Sequence, residues 1–133
     1  YNVMHNSLEA QRLIQEFEIN FGIISGSRIL KKEIINLVKY GILNFHPAPL
    51  PELRGTGGFN LAILENHHEF GDTVHYMDEG IDTGPIIEVD RFEIDAKSET
   101  AQSLERKSHK RMVELFKKTL KRVKKKEFYL VKK

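Results

Sequence analysis

The chain of 133 residues is long enough for one domain of ordinary size. Hydrophobic residues make up 40% of it, enough to build a core, and the absence of cysteine excludes disulfides, thiolate metal sites and cysteine nucleophiles. No window approaches the ~18 consecutive apolar residues of a membrane span, and no secretory signal pattern is visible at the start. These features predict one domain, residues 1–133, in the reducing cytoplasm and without a membrane partner.

The formal net charge of +2 conceals two regions of opposite sign. Residues 1–96 hold 7 Lys and Arg against 15 Asp and Glu, whereas residues 97–133 hold 14 against 4. A basic end of this kind is typical either of a segment that binds nucleic acid or of the solvated face of a terminal helix.

The first half of the chain predicts helices that alternate with short apolar strands. The helices are predicted over residues 7–17 and 31–40, and the strands over residues 19–24 and 41–46. Such alternation indicates an α/β sheet with helices on its faces. Ligands in these sheets bind beyond the carboxyl ends of the strands, where the loop that starts at His46 and the loop over residues 25–30 both lie.

The second half opens with a loop, because residues 46–58 contain three prolines and three glycines. A short helix over residues 59–66, strands over residues 72–77 and 86–94, and a long basic helix over about residues 98–126 follow. The long helix carries seven apolar residues at helical spacing between positions 101 and 123. We therefore expect it to pack on the sheet as a structural element.

Two polar side chains stand together at the end of the second strand. Asn44 and His46 flank Phe45, and residues two apart in an extended strand project from the same face. An amide can donate hydrogen bonds to a developing oxyanion, and an imidazole can exchange a proton near neutral pH. For the isolated pair, side chains that only satisfy the backbone of a loop are the more frequent explanation.

A third candidate, Asp82, lies in the turn over residues 79–85. A turn carboxylate can cap backbone N–H groups, or it can face an imidazole and orient it. A zinc site formed by His46, His75 and Asp82 is a further alternative, although it lacks the close ligand spacing that is usual for zinc.

The segment from Gly41 to Gly55, GILNFHPAPLPELRG, resembles the signature of the folate-dependent formyltransferases. This family includes phosphoribosylglycinamide, methionyl-tRNA and amino-sugar N-formyltransferases. A second block over residues 73–87 resembles the strand, Asp-x-Gly turn and strand that follow in the family, in the same order and at a similar spacing. The resemblance extends from Ile19 to about Lys125. It implies a Rossmann-like open sheet that is mostly parallel and flanked by helices.

The resemblance also implies roles for individual residues. Asn44, His46 and Asp82 match the family's catalytic trio: Asn44 and a protonated His46 would stabilise a tetrahedral oxyanion, while Asp82 would orient His46 and help to take the proton of the attacking amine. His75 matches a strand histidine near the site, with a supporting role at most. No metal is implied. The formyl donor, 10-formyltetrahydrofolate, would be held by two segments, whose residues are Arg28, Ile29, Leu30, Met77, Asp78, Glu79, Gly80 and Ile81.

The implied reaction transfers a formyl group from 10-formyltetrahydrofolate to a primary amine. An amino sugar nucleotide, methionyl-tRNA and glycinamide ribonucleotide all stay open as acceptors, and the oligomeric state is not readable. Two alternatives remain. One is a formyltetrahydrofolate hydrolase, in which water replaces the amine, and the other is a non-catalytic basic module that binds nucleic acid.

Two features depart from the family pattern. Ala48 and Pro49 replace its usual Ser and Leu in the loop. The family's first βαβ units precede anything in this chain, and the chain begins at Tyr1 rather than at a methionine. We therefore expect either the carboxyl-terminal part of a longer catalytic domain or a truncated relative, and an inactive piece is an open alternative for this chain alone.

Overall fold

The computed structural model describes residues 4–26 and 29–125. Four helices and four strands occur in these ranges, in the predicted order. They are α1 (Leu8–Glu16), β1 (Gly22–Ser25), α2 (Lys32–Leu37), β2 (Ile42–His46), α3 (Gly58–Leu64), β3 (Glu69–Tyr76), β4 (Ile86–Glu93) and α4 (Ala101–Lys124).

The four strands form one mixed sheet in the order β1-β2-β3-β4. β1 and β2 are parallel, whereas β2 and β3, and β3 and β4, are antiparallel. The α/β, Rossmann-like class is confirmed, but the strands described here are not mostly parallel. A parallel neighbour of β2 would require a connection that crosses back along the sheet. Residues 47–68 instead stay at the edge where β2 ends and β3 begins.

The long helix α4 begins three residues later than predicted, because Thr100 caps it. The Thr100 side chain accepts a hydrogen bond from the Ser103 backbone N–H at 3.0 Å, and Ser103 Oγ accepts one from the Thr100 N–H at 2.9 Å. This reciprocal pair is a capping box, which fixes where a helix starts. The predicted end at Lys126 lies outside the described residues. No helix within the described ranges is both long and apolar enough to cross a membrane.

One face of the sheet is covered by α4. Leu115 is buried in a cluster with Leu43, Phe45, Val74 and Tyr76 from β2 and β3. The helix therefore packs on the sheet, as predicted. Its buried residues are Leu104, Ser108, Leu115 and Thr119. The buried face of α4 was expected to be apolar throughout, but two of these four residues are small and polar.

The basic character of α4 has a counterpart in β4. Arg111 forms two hydrogen bonds to the Asp90 carboxylate, at 2.8 and 2.9 Å. Lys118 and Arg122 both pair with Glu88, at 2.5 and 3.1 Å. Part of the positive charge of α4 is thus neutralised by carboxylates of β4. This pairing favours a structural role for the helix over nucleic-acid binding.

We expect Leu115→Ala to lower the free energy of unfolding by ~3 kcal/mol, because it leaves a cavity between α4 and the sheet. Lys124→Ala, on the same helix but exposed, should change it by less than ~0.5 kcal/mol. Urea titrations of the two variants measure both effects. Equal urea midpoints for the two variants would show that the packing of α4 on the sheet does not stabilise the protein.

The opposite face of the sheet carries α1 and α2, with Ile42 packed against Ile34, Ile35 and Val38. Successive residues of a strand face opposite sides. Because Leu43 and Phe45 face α4, Asn44 and His46 project from the other face. The candidate site therefore lies on the side of the sheet away from the basic helix.

Candidate active site

The antiparallel pairing of β2 and β3 gathers polar side chains on this face. Asn44 lies directly opposite His75, and His46 lies opposite Thr73. Asn44, His46 and His75 are all buried. A cross-strand histidine thus joins the pair that the i, i+2 spacing predicts. The family resemblance implied that His75 lies near the site, but its contact with Asn44 was not predicted, because strand register is not readable from one chain.

Asp82 reaches the same point from the loop between β3 and β4. It adopts a left-handed conformation, with φ at 51°. Its Oδ2 accepts a hydrogen bond from the Gly55 N–H at 2.9 Å and lies 3.5 Å from His46 Nδ1. Its Oδ1 accepts one from Asn44 Nδ2 at 3.3 Å and lies 3.5 Å from His75 Nε2. The structure therefore brings the three predicted residues together, and their catalytic role stays a prediction.

The Asp-x-Gly spacing of this loop has a steric reason. A Cβ atom added at Gly84 would lie 1.8 Å from the carbonyl oxygen of Tyr76, so no larger residue fits. The Tyr76 N–H donates to the Pro85 carbonyl at 2.9 Å, which closes the loop on β3. Asp78 Oδ1 accepts hydrogen bonds from the Gly80 N–H at 3.0 Å and from Thr83 Oγ1 at 2.7 Å. These contacts hold the loop in the shape that presents Asp82.

Short bonds to the backbone anchor the two histidines, while the side chains approach one another at longer range. His46 Nε2 lies 2.8 Å from the Leu53 carbonyl oxygen, and His75 Nδ1 lies 2.8 Å from that of Tyr76. Distances among the four polar side chains are 3.1 to 3.5 Å. Because long hydrogen bonds are weak, these donors can turn towards a ligand at little cost, as is common in unliganded active sites.

A cavity of about 1190 Å³ opens in front of these side chains. Its walls include Phe59, Pro47 and the glycine-rich segment of residues 55–58. Cavities that bind small ligands are mostly apolar, with a few polar groups that fix orientation. This cavity has that character and is large enough for a ligand with a fused heterocyclic ring.

The residues predicted to hold the formyl donor divide between the cavity and other places. Four of them line it: Ile29, Met77, Gly80 and Ile81. The Leu30 side chain is buried instead in the core beside α2. Asp78 secures the loop, and Glu79 is exposed and pairs with Lys32 at 3.1 Å. Arg28 lies outside the described residues.

Residues 4–6 form a wall that the sequence did not predict. Asn6 joins it to the loop after β1, because its Nδ2 donates to the Ile29 carbonyl at 2.8 Å and its Oδ1 accepts from the Lys31 N–H at 2.8 Å. A single asparagine that bridges two backbone groups leaves no periodic pattern in a sequence, so no signal could have identified it.

No group of three His, Cys, Asp or Glu within residues 4–26 and 29–125 is placed to hold a metal ion. His46 and His75 approach opposite oxygens of the Asp82 carboxylate. The three side chains therefore do not converge on one centre, and the zinc alternative gains no support.

Residues 2–120 match the family model described as formyl transferase. The chain belongs to this family. It is 34% identical over 118 residues to a methionyl-tRNA formyltransferase from Clostridium tetani, covering 88% of this chain and 38% of that protein. It is 42% identical over 76 residues to one from Wolbachia pipientis, covering 57% of this chain and 25% of that protein. The chain thus spans about a quarter to two-fifths of these curated formyltransferases.

Solved formyltransferase structures share the fold. A phosphoribosylglycinamide formyltransferase from Bacillus halodurans superposes with a TM-score of 0.83 at 30% identity, covering 95% of this chain and 65% of that one. An N-formyltransferase from Helicobacter canadensis, in complex with folinic acid and dTDP-3-aminofucose, gives a TM-score of 0.66 at 35% identity over 73% of this chain and 35% of that one. The family resemblance read from the two motifs is confirmed.

Proposed function

We propose that these residues form the catalytic site of an enzyme that transfers a formyl group from 10-formyltetrahydrofolate to a primary amine. The observation that carries the proposal is the convergence of Asn44, His46 and Asp82 on the wall of one cavity. In a member of the formyl transferase family, an amide, an imidazole and a carboxylate in contact can supply the oxyanion donors and the proton acceptor for acyl transfer to an amine.

When bound, 10-formyltetrahydrofolate supplies the formyl group whose carbon the amine attacks. Negative charge then develops on the formyl oxygen, and preorganised donors stabilise it best in a site that excludes water. Asn44 Nδ2 and His46 Nδ1 are the side-chain donors at this point of the cavity. Their contacts to Asp82 are long, at 3.3 and 3.5 Å respectively, and Asn44 Nδ2 also lies 3.1 Å from His75 Nε2.

The surroundings of His46 suit a ring that is protonated on both nitrogens. Its Nε2 faces the Leu53 carbonyl at 2.8 Å, and its Nδ1 faces Asp82 Oδ2 at 3.5 Å. Both partners only accept hydrogen bonds, so a neutral ring would leave a lone pair against one of them. A charged imidazolium is also the stronger donor to a developing oxyanion.

Asp82 is the group that receives the proton of the attacking amine. Gly55 N–H holds its Oδ2 at 2.9 Å, which leaves Oδ1 to turn from Asn44 towards the amine. The left-handed backbone at Asp82 and the close packing of Gly84 fix the carboxylate at the cavity wall. This arrangement orients His46 and removes the amine proton with one side chain. Asp82 would then pass that proton to the folate nitrogen as the bond from this nitrogen to the formyl carbon breaks, which leaves the N-formylated amine and tetrahydrofolate.

The apolar walls of the cavity support the proposal that it binds the formyl donor, because cavities for small ligands are mostly apolar. We expect Ile81→Asp to weaken the binding of folinic acid by at least ~10-fold, because it places a charge against a flat heterocycle. Ile81 lines the cavity and is 54% exposed, so the variant should fold. Isothermal titration measures the affinity.

Leu64→Asp is the matched control for that titration. Leu64 is 83% exposed, on α3, and does not line the cavity. Its variant should bind folinic acid as the parent does. Equal affinities for all three proteins would place the formyl donor elsewhere.

The acceptor is proposed only as a primary amine. Proteins similar to this chain are named for methionyl-tRNA and for phosphoribosylglycinamide, and one was crystallised with dTDP-3-aminofucose. Incubation of the full-length protein with 10-formyltetrahydrofolate and each of methionyl-tRNA, glycinamide ribonucleotide and an amino sugar nucleotide tests the function. A formylated amine supports the proposal. Release of formate without any amine would instead indicate a hydrolase.

A further inference from the structure

We infer that His75 is a positioning residue, which fixes the amide of Asn44 with its N–H groups, rather than its oxygen, facing Asp82 and the cavity. That the Asn44 N–H donates to the formyl oxygen of a bound ligand rests on the proposed function. The orientation of the amide rests on contacts among buried side chains alone.

The first step concerns the proton on the His75 ring. Nδ1 lies 2.8 Å from the carbonyl oxygen of Tyr76. A carbonyl oxygen only accepts hydrogen bonds, so Nδ1 carries a hydrogen and donates it. Burial lowers the pKa of His75, against the Tyr76 hydrogen bond and the nearby Asp82, which raise it. The ring is therefore neutral near pH 7, and its Nε2 presents a lone pair.

The second step concerns the amide that meets this lone pair. Asn44 Nδ2 lies 3.1 Å from His75 Nε2 and 3.3 Å from Asp82 Oδ1. Both neighbours are acceptors, and the two hydrogens of one NH₂ group satisfy both. A reversed amide would set its own oxygen against a lone pair and a carboxylate. His75 and Asp82 together therefore select one of the two orientations.

The third step concerns what His75 cannot do itself. Its ring is only 1% exposed, and it does not line the cavity. Its influence on a bound formyl group must pass through Asn44, its direct partner across the β2–β3 pairing. When Asn44 releases its long contact to Asp82, the contact to His75 still holds the second N–H in the direction of the ligand.

Kinetic measurements on the full-length protein separate this role from a merely structural one. His75→Leu should lower kcat by about 10–100-fold, the loss typical of removing a side chain that orients a metal ligand, with an unchanged KM for 10-formyltetrahydrofolate. His75→Gln should recover most of the rate, since its amide oxygen can accept from Asn44 where Nε2 does. Equal losses in the two variants, at matched melting temperatures, would overturn the inference.

A double-mutant cycle tests whether His75 affects kcat through Asn44. In an Asn44→Ala background, His75→Leu should cost no further activity, because the side chain through which it acts is gone. If it lowers kcat by the same factor in both backgrounds, His75 does not act through Asn44.

The ring itself gives a readout that needs no activity. ¹⁵N NMR of histidine-labelled protein should show a neutral His75 with its hydrogen on Nδ1. A hydrogen on Nε2 at neutral pH would overturn the inference, whatever the enzyme catalyses. If the Nδ1–H form is found but no acceptor is formylated, the proposed function fails while the orientation of Asn44 stands.

Discussion

His46→Asn is expected to abolish formyl transfer while leaving the binding of folinic acid almost unchanged. In the proposed mechanism the imidazole acts on charge that exists only in the transition state, so its loss should lower kcat rather than ground-state affinity. Loss of one oxyanion donor costs ~10²–10³-fold in such reactions. The donor lost here is the one that the proposed mechanism takes to be charged, and charged donors form the stronger hydrogen bonds. Single-turnover formyl transfer measures the rate, and a separate titration measures the affinity.

The neighbouring side chains provide graded comparisons for this result. Asp82→Asn should be similarly damaging, because an amide cannot take the amine proton. Asn44→Ala should be milder, since it removes a neutral donor while the donor of His46 remains. His68→Asn is the control, because His68 is exposed and lies outside the cavity lining. A His46→Asn enzyme that works near the parent rate would exclude the mechanism, and a normal rate with weaker folinic acid binding would reassign His46 to the pocket wall.

The parts of the site that follow from short-range chain geometry could be predicted from the sequence. Asn44 and His46 share a face because they are two residues apart in a strand, and the structure places both there. The prolines and glycines of residues 46–58 do form the loop that supplies Leu53 and Gly55 as backbone partners. The resemblance to a family supplied what local pattern could not, namely that Asp82 returns to this point.

The other parts of the site and the fold depend on pairings between segments that are distant in the sequence, and no local sequence pattern encodes those pairings. That His75 faces Asn44 follows from the β2–β3 register, and a shift of one residue would turn His75 towards α4. The direction of β3 was missed for the same reason. Leu30 was expected at the pocket, but its neighbours in α2 bury its side chain in the core. Apolar character alone does not distinguish a core residue from a residue on a cavity wall.

The interface between α4 and the sheet contains a feature that hydrophobic periodicity conceals. Asp72, on β3, is fully buried and accepts a hydrogen bond from Ser108 of α4. Within the described residues its Oδ2 has no hydrogen-bond partner. Across the strands it lies opposite Asp90, whose carboxylate is bound by Arg111. Burial raises the pKa of Asp72 to about 7, with the negative charge of Asp90 adding to the shift and Ser108 and Arg111 opposing it.

This carboxyl group should make the protein less stable as the pH rises from about 4 to about 7. In that window the folded state keeps the Asp72 proton while the unfolded state, with an ordinary value of 3.8, has released it. The stabilisation is therefore complete below pH ~4 and is lost once the pH passes ~7. A shift of about three units corresponds to ~4 kcal/mol between the two limits.

Asp72→Asn tests this directly, because an amide of the same shape cannot ionise. The variant should unfold at higher urea concentration than the parent at pH 8.5, and the difference should shrink or reverse at pH 5, where the parent's Asp72 is already neutral. Asp95→Asn is the matched control, since Asp95 is exposed and its variant should follow the parent at both pH values. If Asp72→Asn destabilises the protein equally at pH 5 and pH 8.5, the carboxylate is ionised in the folded state throughout. The hydrogen bond from Ser108 would then be compensating for the burial of a charge.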